Sequence, residues 1–536
     1  MKSLFISALV GVCMCGMLSA QPTNTGLSGG AFFDGEPYLA VNPVNNENMV
    51  IAWMSYVPNS GIPLLDQIGI RVKSSFDGGI SWGNEVMMPH FSKTFHSADV
   101  SMAFHHDGTL YIEYIDYRQN PDSGVIVVSH STDGGKTWSL PKEAFNLYDN
   151  NDRPIDRPWI AIDNSGTASD GTIYITTKPV SWDPLPNRPY MKYSVDGGAT
   201  WSKIDTVDGG NYPAGMIPEP MAAPGVSADG MFRAAYLSWS LKNSLYPRMT
   251  LASSSDYGKS YMRTTMGMLT SGGAGKDTLS KLGYRLALKP NDAKNMLFAW
   301  IDSREGDNDV YAVTSADGGA TWNNALRIND DPKNNGIWQD LVWADYSDNG
   351  KCIVSWRDRR NGDSTGYEKG SDIYFAVSTD DGKTFGKNIR LSDRTAPHNK
   401  VLNSPGNDFH CSVIVHDSIC ATWGDVRTGK LTVYFAKASL GDGIAKVVQV
   451  SQDENNFSVH PNPAAHSVSI ECILEEPCIM ELSINDVNGK VIWHEVAERT
   501  NNLSRTIDLS RFSEGVYTII MKTSGEIFEK KFTVVR

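Results

Sequence analysis

The sequence predicts an all-β protein, a seven-bladed β-propeller followed by a small C-terminal β-sandwich. Three observations carry this prediction. A short motif built from an acidic residue, glycines, a hydroxyl residue and an aromatic recurs along the chain. Strands of alternating apolar and polar residues lie between its copies, and the last 80 or so residues have a different character. A repeat of about 60 residues is typical of architectures in which each repeat is one supersecondary unit.

The recurring motif is clearest in SHSTDGGKTW, from Ser129 to Trp138. Asp133 can accept hydrogen bonds from its own loop, the glycines tolerate positive φ, and Trp138 can fold back as a buried apolar plug. Six copies are present, with acidic residues at Asp77, Asp133, Asp196, Asp256, Asp317 and Asp380, spaced 56, 63, 60, 61 and 63 residues apart. The spacing predicts equivalent turns in consecutive sheets.

Each repeat is predicted to hold four antiparallel strands, with the motif joining the third strand to the fourth. A seventh set of strands ends in a degraded turn that keeps Asp442. The predicted blades span residues 35–90, 96–147, 154–209, 218–270, 281–329, 336–394 and 404–450. Six blades is the alternative, and it requires discarding the last set of strands, which look intact.

The two ends of the chain differ from the repeats. Residues 1–20 predict a cleaved secretory signal, because one lysine precedes an apolar run too short to span a bilayer. Residues 21–450 are then the propeller, and residues 455–536 are predicted as a β-sandwich with DVNGK as a hairpin turn. No transmembrane segment is predicted.

Charge and cysteine usage restrict the partners. A net charge of −13 argues against nucleic acid and anionic membranes, since both require a basic face. The sequence shows no C-x-x-C pair and no histidines at zinc-ligand spacing, so we expect no metal and no cofactor. Cys472 and Cys478 flank a predicted hairpin and could pair after export, whereas Cys352, Cys411 and Cys420 are expected to be buried in strands.

The candidate site lies on the rim opposite the acidic turns. In a four-stranded meander, the second–third turn and the link between blades share that rim. Inner strands begin there, close to the axis, so polar residues just before them should converge on a central funnel. They are Glu36, Asp99, Asp156, Arg157, Glu219, Arg285, Gln339, Asp340, Asp408 and His410. Arginines there could bind an anionic sugar and a carboxylic acid could protonate a glycosidic oxygen, or these groups could only satisfy backbone and water.

A second motif, aromatic-x-Asp-x-Arg, is predicted on the same rim. Its four copies end in Arg118, Arg304, Arg360 and Arg427. The Asp and Arg could pair within a turn, or the Arg could reach inward as a substrate-binding residue. The sequence leaves both roles open.

The acidic motif resembles the Asp-box, or BNR repeat, of sialidase-like β-propellers. This resemblance implies an exported glycoside hydrolase acting on anionic glycans, with an Asp as acid/base and a Tyr nucleophile activated by a Glu. By blade position these roles fall on Asp99, Tyr284 and Glu219. The R-I-P motif that carries the first arginine of sialidases is absent, and DGEPYLAVNP with Glu36 stands in its place.

Two other functions stay open. The first is a noncatalytic propeller that binds a glycan or a protein in the same funnel. The second is a polysaccharide lyase, with a base among His96, His105, His106 and His410. His105 and His106 are predicted on the rim of the acidic turns, which disfavours this function.

The tail resembles the type A sorting domain of the type IX secretion system. The blocks PNP, DVNGK, GVYTIIM and a basic last strand carry this resemblance. It implies that the type IX machinery recognises residues 455–536 and delivers the protein to the cell surface or to the outside.

Overall fold

The computed structural model describes residues 24–29, 33–57, 67–118, 123–149, 153–180, 186–269, 283–362, 370–397, 407, 410–440, 449–451, 457–486, 490–523 and 526–536. These residues form strands and turns, arranged as seven four-stranded antiparallel sheets and one C-terminal sheet. The predicted all-β fold with seven blades is confirmed, and the six-bladed alternative is wrong. No helix within the described ranges is long and apolar enough to cross a membrane. The predicted signal, residues 1–20, lies outside the described residues.

The first four blades follow one pattern, in which chain order runs from the innermost strand to the outermost. The strands of blade 1 are β2 (Asp34–Val41), β3 (Met49–Val57), β4 (Gln67–Ser75) and β5 (Val86–Met87). Those of blade 2 are β6 (Phe95–Phe104), β7 (Leu110–Arg118), β8 (Gly124–Ser131) and β9 (Lys142–Asn146). Those of blade 3 are β10 (Asp156–Ile162), β11 (Ile173–Lys178), β12 (Tyr190–Ser194) and β13 (Asp205–Thr206). Those of blade 4 are β14 (Ala222–Val226), β15 (Phe232–Ser238), β16 (Arg248–Ser254) and β17 (Met262–Met268).

Blades 5 and 6 repeat the pattern, and blade 7 closes the ring. The strands of blade 5 are β18 (Tyr284–Leu288), β19 (Met296–Asp302), β20 (Asp309–Ser315) and β21 (Leu326–Arg327). Those of blade 6 are β22 (Gln339–Tyr346), β23 (Cys352–Asp358), β24 (Asp372–Ser378) and β25 (Ile389–Arg390). Blade 7 contains β26 (Cys411–Val415), β27 (Ser418–Asp425), β28 (Thr432–Ser439) and the N-terminal strand β1 (Thr25–Gly26).

The closure of blade 7 differs from the prediction. Thr25 pairs with Phe435 and Gly26 with Tyr434, so the outermost strand comes from the start of the chain rather than from the segment after the degraded turn. Asp442 and residues 443–448 lie outside the described residues, and Gln449–Ser451, at the end of the predicted last blade, belong to the C-terminal sheet. Pairing the two ends of the ring removes a free sheet edge and ties the first blade to the last.

The Asp-box turns share one hydrogen-bond pattern in all six copies. In the second copy, Ser131 Oγ donates to Asp133 Oδ1 (2.8 Å), and Gly135 N donates to Ser131 Oγ (2.9 Å). Thr137 donates from its backbone N (2.9 Å) and its Oγ1 (2.6 Å) to the Asp133 carboxylate. A Cβ on Gly135 would lie 3.0 Å from Val50 of the preceding blade. Each box is therefore a compact turn that also packs against its neighbour.

The box aromatics are less buried than predicted. Trp138, Trp201 and Trp322 are half-buried and pack against the hydrophobic core from its edge. The predicted burial of these aromatics is therefore only partial, because the turn places each indole at the edge of the core. The most deeply buried indoles, Trp53, Trp300 and Trp356, lie on second strands instead.

The C-terminal region is one six-stranded sheet that nearly closes on itself. Its strands are β29 (Gln449–Ser451), β30 (Phe457–His460), β31 (Ser467–Asn485), β32 (Val491–Asp508), β33 (Gly515–Lys522) and β34 (Glu526–Val534). A separate apolar core fills it. Cys472 and Cys478 both lie in β31 and so do not flank a hairpin as predicted. Cys352, Cys411 and Cys420 are buried in strands, as expected.

Candidate functional site

A β-bulge recurs where the innermost strand begins in blades 1, 2, 3 and 6. The pairing of first and second strands shifts between Gly35 and Tyr38, Ala98 and Ser101, Asp156 and Trp159, and Asp340 and Trp343. Each bulge holds one non-glycine residue at positive φ: Glu36 (51°), Asp99 (50°), Arg157 (48°) and Leu341 (50°). Such backbone costs on the order of 1–3 kcal/mol per residue and is typical of functional sites.

Three of these bulges carry charged side chains that come together. The carboxyl groups of Asp99 and Glu36 hydrogen-bond to each other, and the guanidinium of Arg157 lies close to Asp99. Burial raises the pKa of Asp99, although Arg157 and Glu36 act in the opposite direction. Burial is the largest of these influences, so Asp99 ionises less readily than a free carboxyl group.

A lysine joins the other two predicted carboxylates of this part of the funnel. Lys178, at the end of β11, is 1% exposed and lies 2.5 Å from Asp156 Oδ2 and 2.9 Å from Glu219 Oε2. Its charge also reaches Asp99. Sequence reasoning missed Lys178 because it sits inside an ordinary strand with no motif around it.

Tyr117 is a further residue that sequence reasoning missed. Burial raises its pKa to about 12, with further contributions from the nearby charges of Asp99, Asp156 and Glu36. The only available signal was its place in YIDYR, one residue before Arg118. His96 lies opposite Tyr117 in the strand pair, with ring centres 6.1 Å apart, and burial lowers its pKa. We call Glu36, Asp99, Tyr117, Asp156, Arg157, Lys178 and Glu219 the funnel cluster.

The floor of the funnel is a plug of aromatic rings around one arginine. The Arg285 guanidinium lies 4.7 Å from the Trp159 ring and 4.3 Å from the Trp343 ring, and it hydrogen-bonds Tyr38. These residues come from the innermost strands of blades 5, 3, 6 and 1, so their contacts cross the axis. Arg285 therefore lies at the centre of this aromatic plug, where its guanidinium is engaged by protein partners.

Asp340 lies on the other side of the funnel in a closed ion pair. Arg357 binds it through two hydrogen bonds of 2.7 and 2.8 Å, and Arg359 adds a third of 2.9 Å. The two guanidinium groups hold the pKa of Asp340 below its usual range despite burial, which alone would raise it. Neither arginine was among the predicted residues, although both belong to the WRDRR stretch. Gln339 is fully buried, and Asp408 lies outside the described residues.

The aromatic-x-Asp-x-Arg motif forms a turn with an internal ion pair in three blades, and Arg360 and Arg427 also pair with Asp330 and Asp393 outside it. Arg304, Arg360 and Arg427 each donate to the Asp two residues before, at 2.5, 2.9 and 2.6 Å. Their guanidinium groups cover Tyr311, Tyr374 and Tyr434 at 4.6, 4.5 and 4.3 Å. In the fourth copy, His90 and Ser97 hydrogen-bond to Asp116 instead, and Arg118 is exposed. These arginines do not lie among the residues of the funnel cluster.

Tyr284 lies in the core rather than in the funnel. It is 3% exposed, its hydroxyl donates to the Met221 carbonyl (2.5 Å), and burial raises its pKa. The histidines considered for a lyase are also dispersed. His410 is buried against Ser355 (2.8 Å) and burial lowers its pKa to about 3, while His105 and His106 lie on the Asp-box rim.

Two family models match stretches of the chain, one in the propeller and one in the C-terminal sheet. Residues 458–535 match a secretion system C-terminal sorting domain, and residues 129–140 match the BNR/Asp-box repeat. No curated protein sequence matches the chain. The chain is thus a BNR/Asp-box β-propeller with a C-terminal sorting domain, which indicates type IX secretion to the cell surface or outside.

Solved structures with a similar fold include several enzymes that act on carbohydrates. A Hadza microbial sialidase is 16% identical (70% of this chain, 74% of that chain, TM-score 0.42). A NanB sialidase mutant from Streptococcus pneumoniae is 12% identical (79% and 71%, TM-score 0.38). An ulvan lyase is 11% identical (66% and 81%, TM-score 0.41). At this level of similarity the likeness does not identify the reaction.

Proposed function

We propose that the protein is an exported glycoside hydrolase whose active site is the funnel cluster, with Asp99 as the general acid. One observation carries this proposal. Three strained bulges from three blades turn Glu36, Asp99 and Arg157 to one place, beside two more carboxylates held by Lys178. A scaffold that only needed stable blades would gain nothing from backbone strain that brings like charges together.

The two carboxyl pairs suit the two halves of glycoside hydrolysis. Asp99, with its raised pKa, would donate a proton to the glycosidic oxygen as the bond breaks. Asp156 or Glu219 would supply the second carboxylate, which activates water or attacks the sugar directly. Lys178 positions both and compensates their charge. Carboxyl groups in contrasting environments are the pattern expected of an acid and its partner.

The charges favour a neutral sugar at the cleavage position over the anionic glycan that the resemblance implies. The funnel cluster holds four carboxyl groups, Glu36, Asp99, Asp156 and Glu219, against two cations, Arg157 and Lys178. The other arginines near the axis already have protein partners: Arg357 and Arg359 bind Asp340, and Arg285 lies in the aromatic floor. A sialic acid carboxylate would therefore meet few uncommitted cations.

Turnover by purified protein and by Asp99→Asn tests the proposal. Screening neutral, uronate-bearing and sialylated glycans should find release from a neutral substrate. Asp99→Asn should then lower kcat by about 10²–10⁴-fold with little change in glycan affinity. Asp133→Asn, on the Asp-box rim, is the matched control and should keep full kcat. Equal turnover by Asp99→Asn would rule out Asp99 as the acid, and binding without turnover of any glycan would make the propeller a noncatalytic binder.

A further inference from the structure

Two neighbouring histidines and one aspartate meet on the Asp-box rim, away from the funnel. His105 and His106 form the turn between β6 and β7 of blade 2, and Asp170 belongs to the β10–β11 loop of blade 3. One ligand atom from each of the three side chains lies within 4.8 Å of the others. Asp170 Oδ2 is 3.0 Å from His106 Nε2 and 3.5 Å from His105 Nε2.

The two separations from Asp170 Oδ2 match those of a metal centre. Bonds of about 2.0–2.1 Å in a tetrahedral zinc site place neighbouring ligand atoms roughly 3.3 Å apart. His105 Nε2 is buried and has no hydrogen-bond partner in the described part of the chain. A buried ring nitrogen left without a bond is costly in a protein unless a ligand satisfies it.

The surrounding residues orient the three ligands. Asp107 Oδ1 lies 3.1 Å from His105 Nδ1 and also accepts a hydrogen bond from Thr109 N (2.8 Å). A proton on Nδ1 leaves Nε2 with its lone pair toward His106 and Asp170, the arrangement found behind metal-bound histidines. Asp170 Oδ1 is held by Gly166 N (2.9 Å), which leaves Oδ2 for the metal.

The two loops are joined before any ion binds. Asn164 accepts from His106 N (2.9 Å) and donates to the Phe104 carbonyl (3.0 Å). His106 is exposed enough, at 45% of its side chain, for an ion to enter from solvent. The ligand set is thus preorganised and accessible.

We propose that His105, His106 and Asp170 bind one zinc-class divalent ion that clamps blade 2 to blade 3, with water completing its coordination. Imidazole and carboxylate ligands suit Zn²⁺ and its neighbours better than Ca²⁺ or Mg²⁺. The clamp is independent of glycan chemistry in the funnel. Its place in the fold, a junction of two blades, gives it a structural role.

Titration of the EDTA-treated full chain with zinc chloride tests the site. We expect one ion per chain and a Tm that rises with Zn²⁺ concentration, because the ion binds the folded state. Cobalt chloride should give the visible absorption of four-coordinate Co²⁺. His106→Ala and Asp170→Asn should lose the binding, the Tm rise and the absorption, while keeping the wild-type Tm in EDTA. Asp107→Asn should weaken binding by about 10–100-fold.

His494→Ala is the matched control, because it removes an exposed histidine paired with Glu481 in the C-terminal sheet. It should bind Zn²⁺ as the parent does. Absence of binding by the parent, or equal binding by His106→Ala and Asp170→Asn, would overturn the proposal. A Tm rise with Mg²⁺ of the same size as with Zn²⁺ would also overturn the assignment of the metal class.

Discussion

The two rims of the propeller differ in what is repeated from blade to blade. On the Asp-box rim, six turns repeat the same residues and the same hydrogen bonds, from Ser75 and Asp77 in blade 1 to Ser378 and Asp380 in blade 6. On the funnel rim, four bulges repeat the same backbone but carry different side chains: Glu36, Asp99, Arg157 and Leu341. Repeated side chains at repeated positions are what a scaffold needs. Repeated backbone with varied side chains is what a site needs, because acid, base and cation must differ.

The two rims also differ in which residues bind their carboxyl groups. The box aspartates are exposed or half-buried and accept hydrogen bonds from their own turns, and those hydrogen bonds lower the pKa of Asp196 to about 2. In the funnel, Lys178 of blade 3 binds Glu219 at the entrance of blade 4 as well as Asp156 of its own blade, so one cation joins two blades. Hydrogen bonds within the turn stabilise each Asp-box independently of the other blades. Ion pairs between blades make the charge balance of the funnel cluster depend on each of its members.

The largest stability effect is expected from the funnel cluster. Lys178→Met removes the cation between Asp156 and Glu219 and should lower the free energy of unfolding by about 2–4 kcal/mol. Urea denaturation checks this value. Lys136→Met on the Asp-box rim is the control, since Lys136 lies over Phe76 at the surface, and it should stay within about 0.5 kcal/mol of the parent. Equal losses in the two variants would remove the contrast between the rims.

The next effect concerns the box aromatics. Trp138→Ala should cost about 2–3 kcal/mol, below the roughly 3–5 kcal/mol of a fully buried aromatic, because Trp138 is half-buried. Trp53→Ala, at a fully buried position, supplies the upper reference in the same denaturation experiment. A loss for Trp138→Ala as large as that for Trp53→Ala would mean that the box aromatic belongs to the core after all.

A smaller effect is expected from a box carboxylate, and it depends on pH. The pKa of Asp196 is lowered by hydrogen bonds from Thr200 and Ser194, so its contribution is present above the ordinary Asp pKa of about 3.9. That contribution is lost as the pH falls from about 4 to 2. Asp196→Asn should cost less than about 1 kcal/mol at neutral pH, because solvent screens this exposed group, and the cost should shrink as the pH falls below about 4. Acid unfolding of the two proteins measures this, and parallel curves would contradict it.

The smallest effect should have the opposite sign. Because burial raises the pKa of Asp99, its contribution to stability is present below the ordinary Asp pKa of about 3.9 and is lost as the pH rises through its folded pKa. Asp99→Asn should therefore be slightly more stable than the parent at neutral pH, and the difference should vanish near pH 4. Thermal melts from pH 4 to pH 8 test this. A destabilised Asp99→Asn at neutral pH would show that the carboxyl group is ionised and well paired.

The propeller itself was predictable because its signals are local and periodic. An acidic turn such as that of Asp133 needs only residues within a few positions of each other, and alternation marks each strand. The number of blades, the rim of the boxes and the sorting domain follow from such signals. The closing strand at Thr25–Gly26 does not, since two residues carry no pattern and their partner, β28, lies some 400 residues later.

The site was only partly predictable, for the same reason. The sequence placed Glu36, Asp99, Asp156, Arg157 and Glu219 on one rim by counting strands. Only the tertiary structure shows that β-bulges bring three of these side chains together and that Lys178 and Tyr117 lie beside them. It also shows that Arg285 and Asp340 already interact with other protein side chains. His105 and Asp170 meet across two blades from positions far apart in the chain. Such contacts depend on how the blades close around the propeller axis, and no local sequence pattern predicts them.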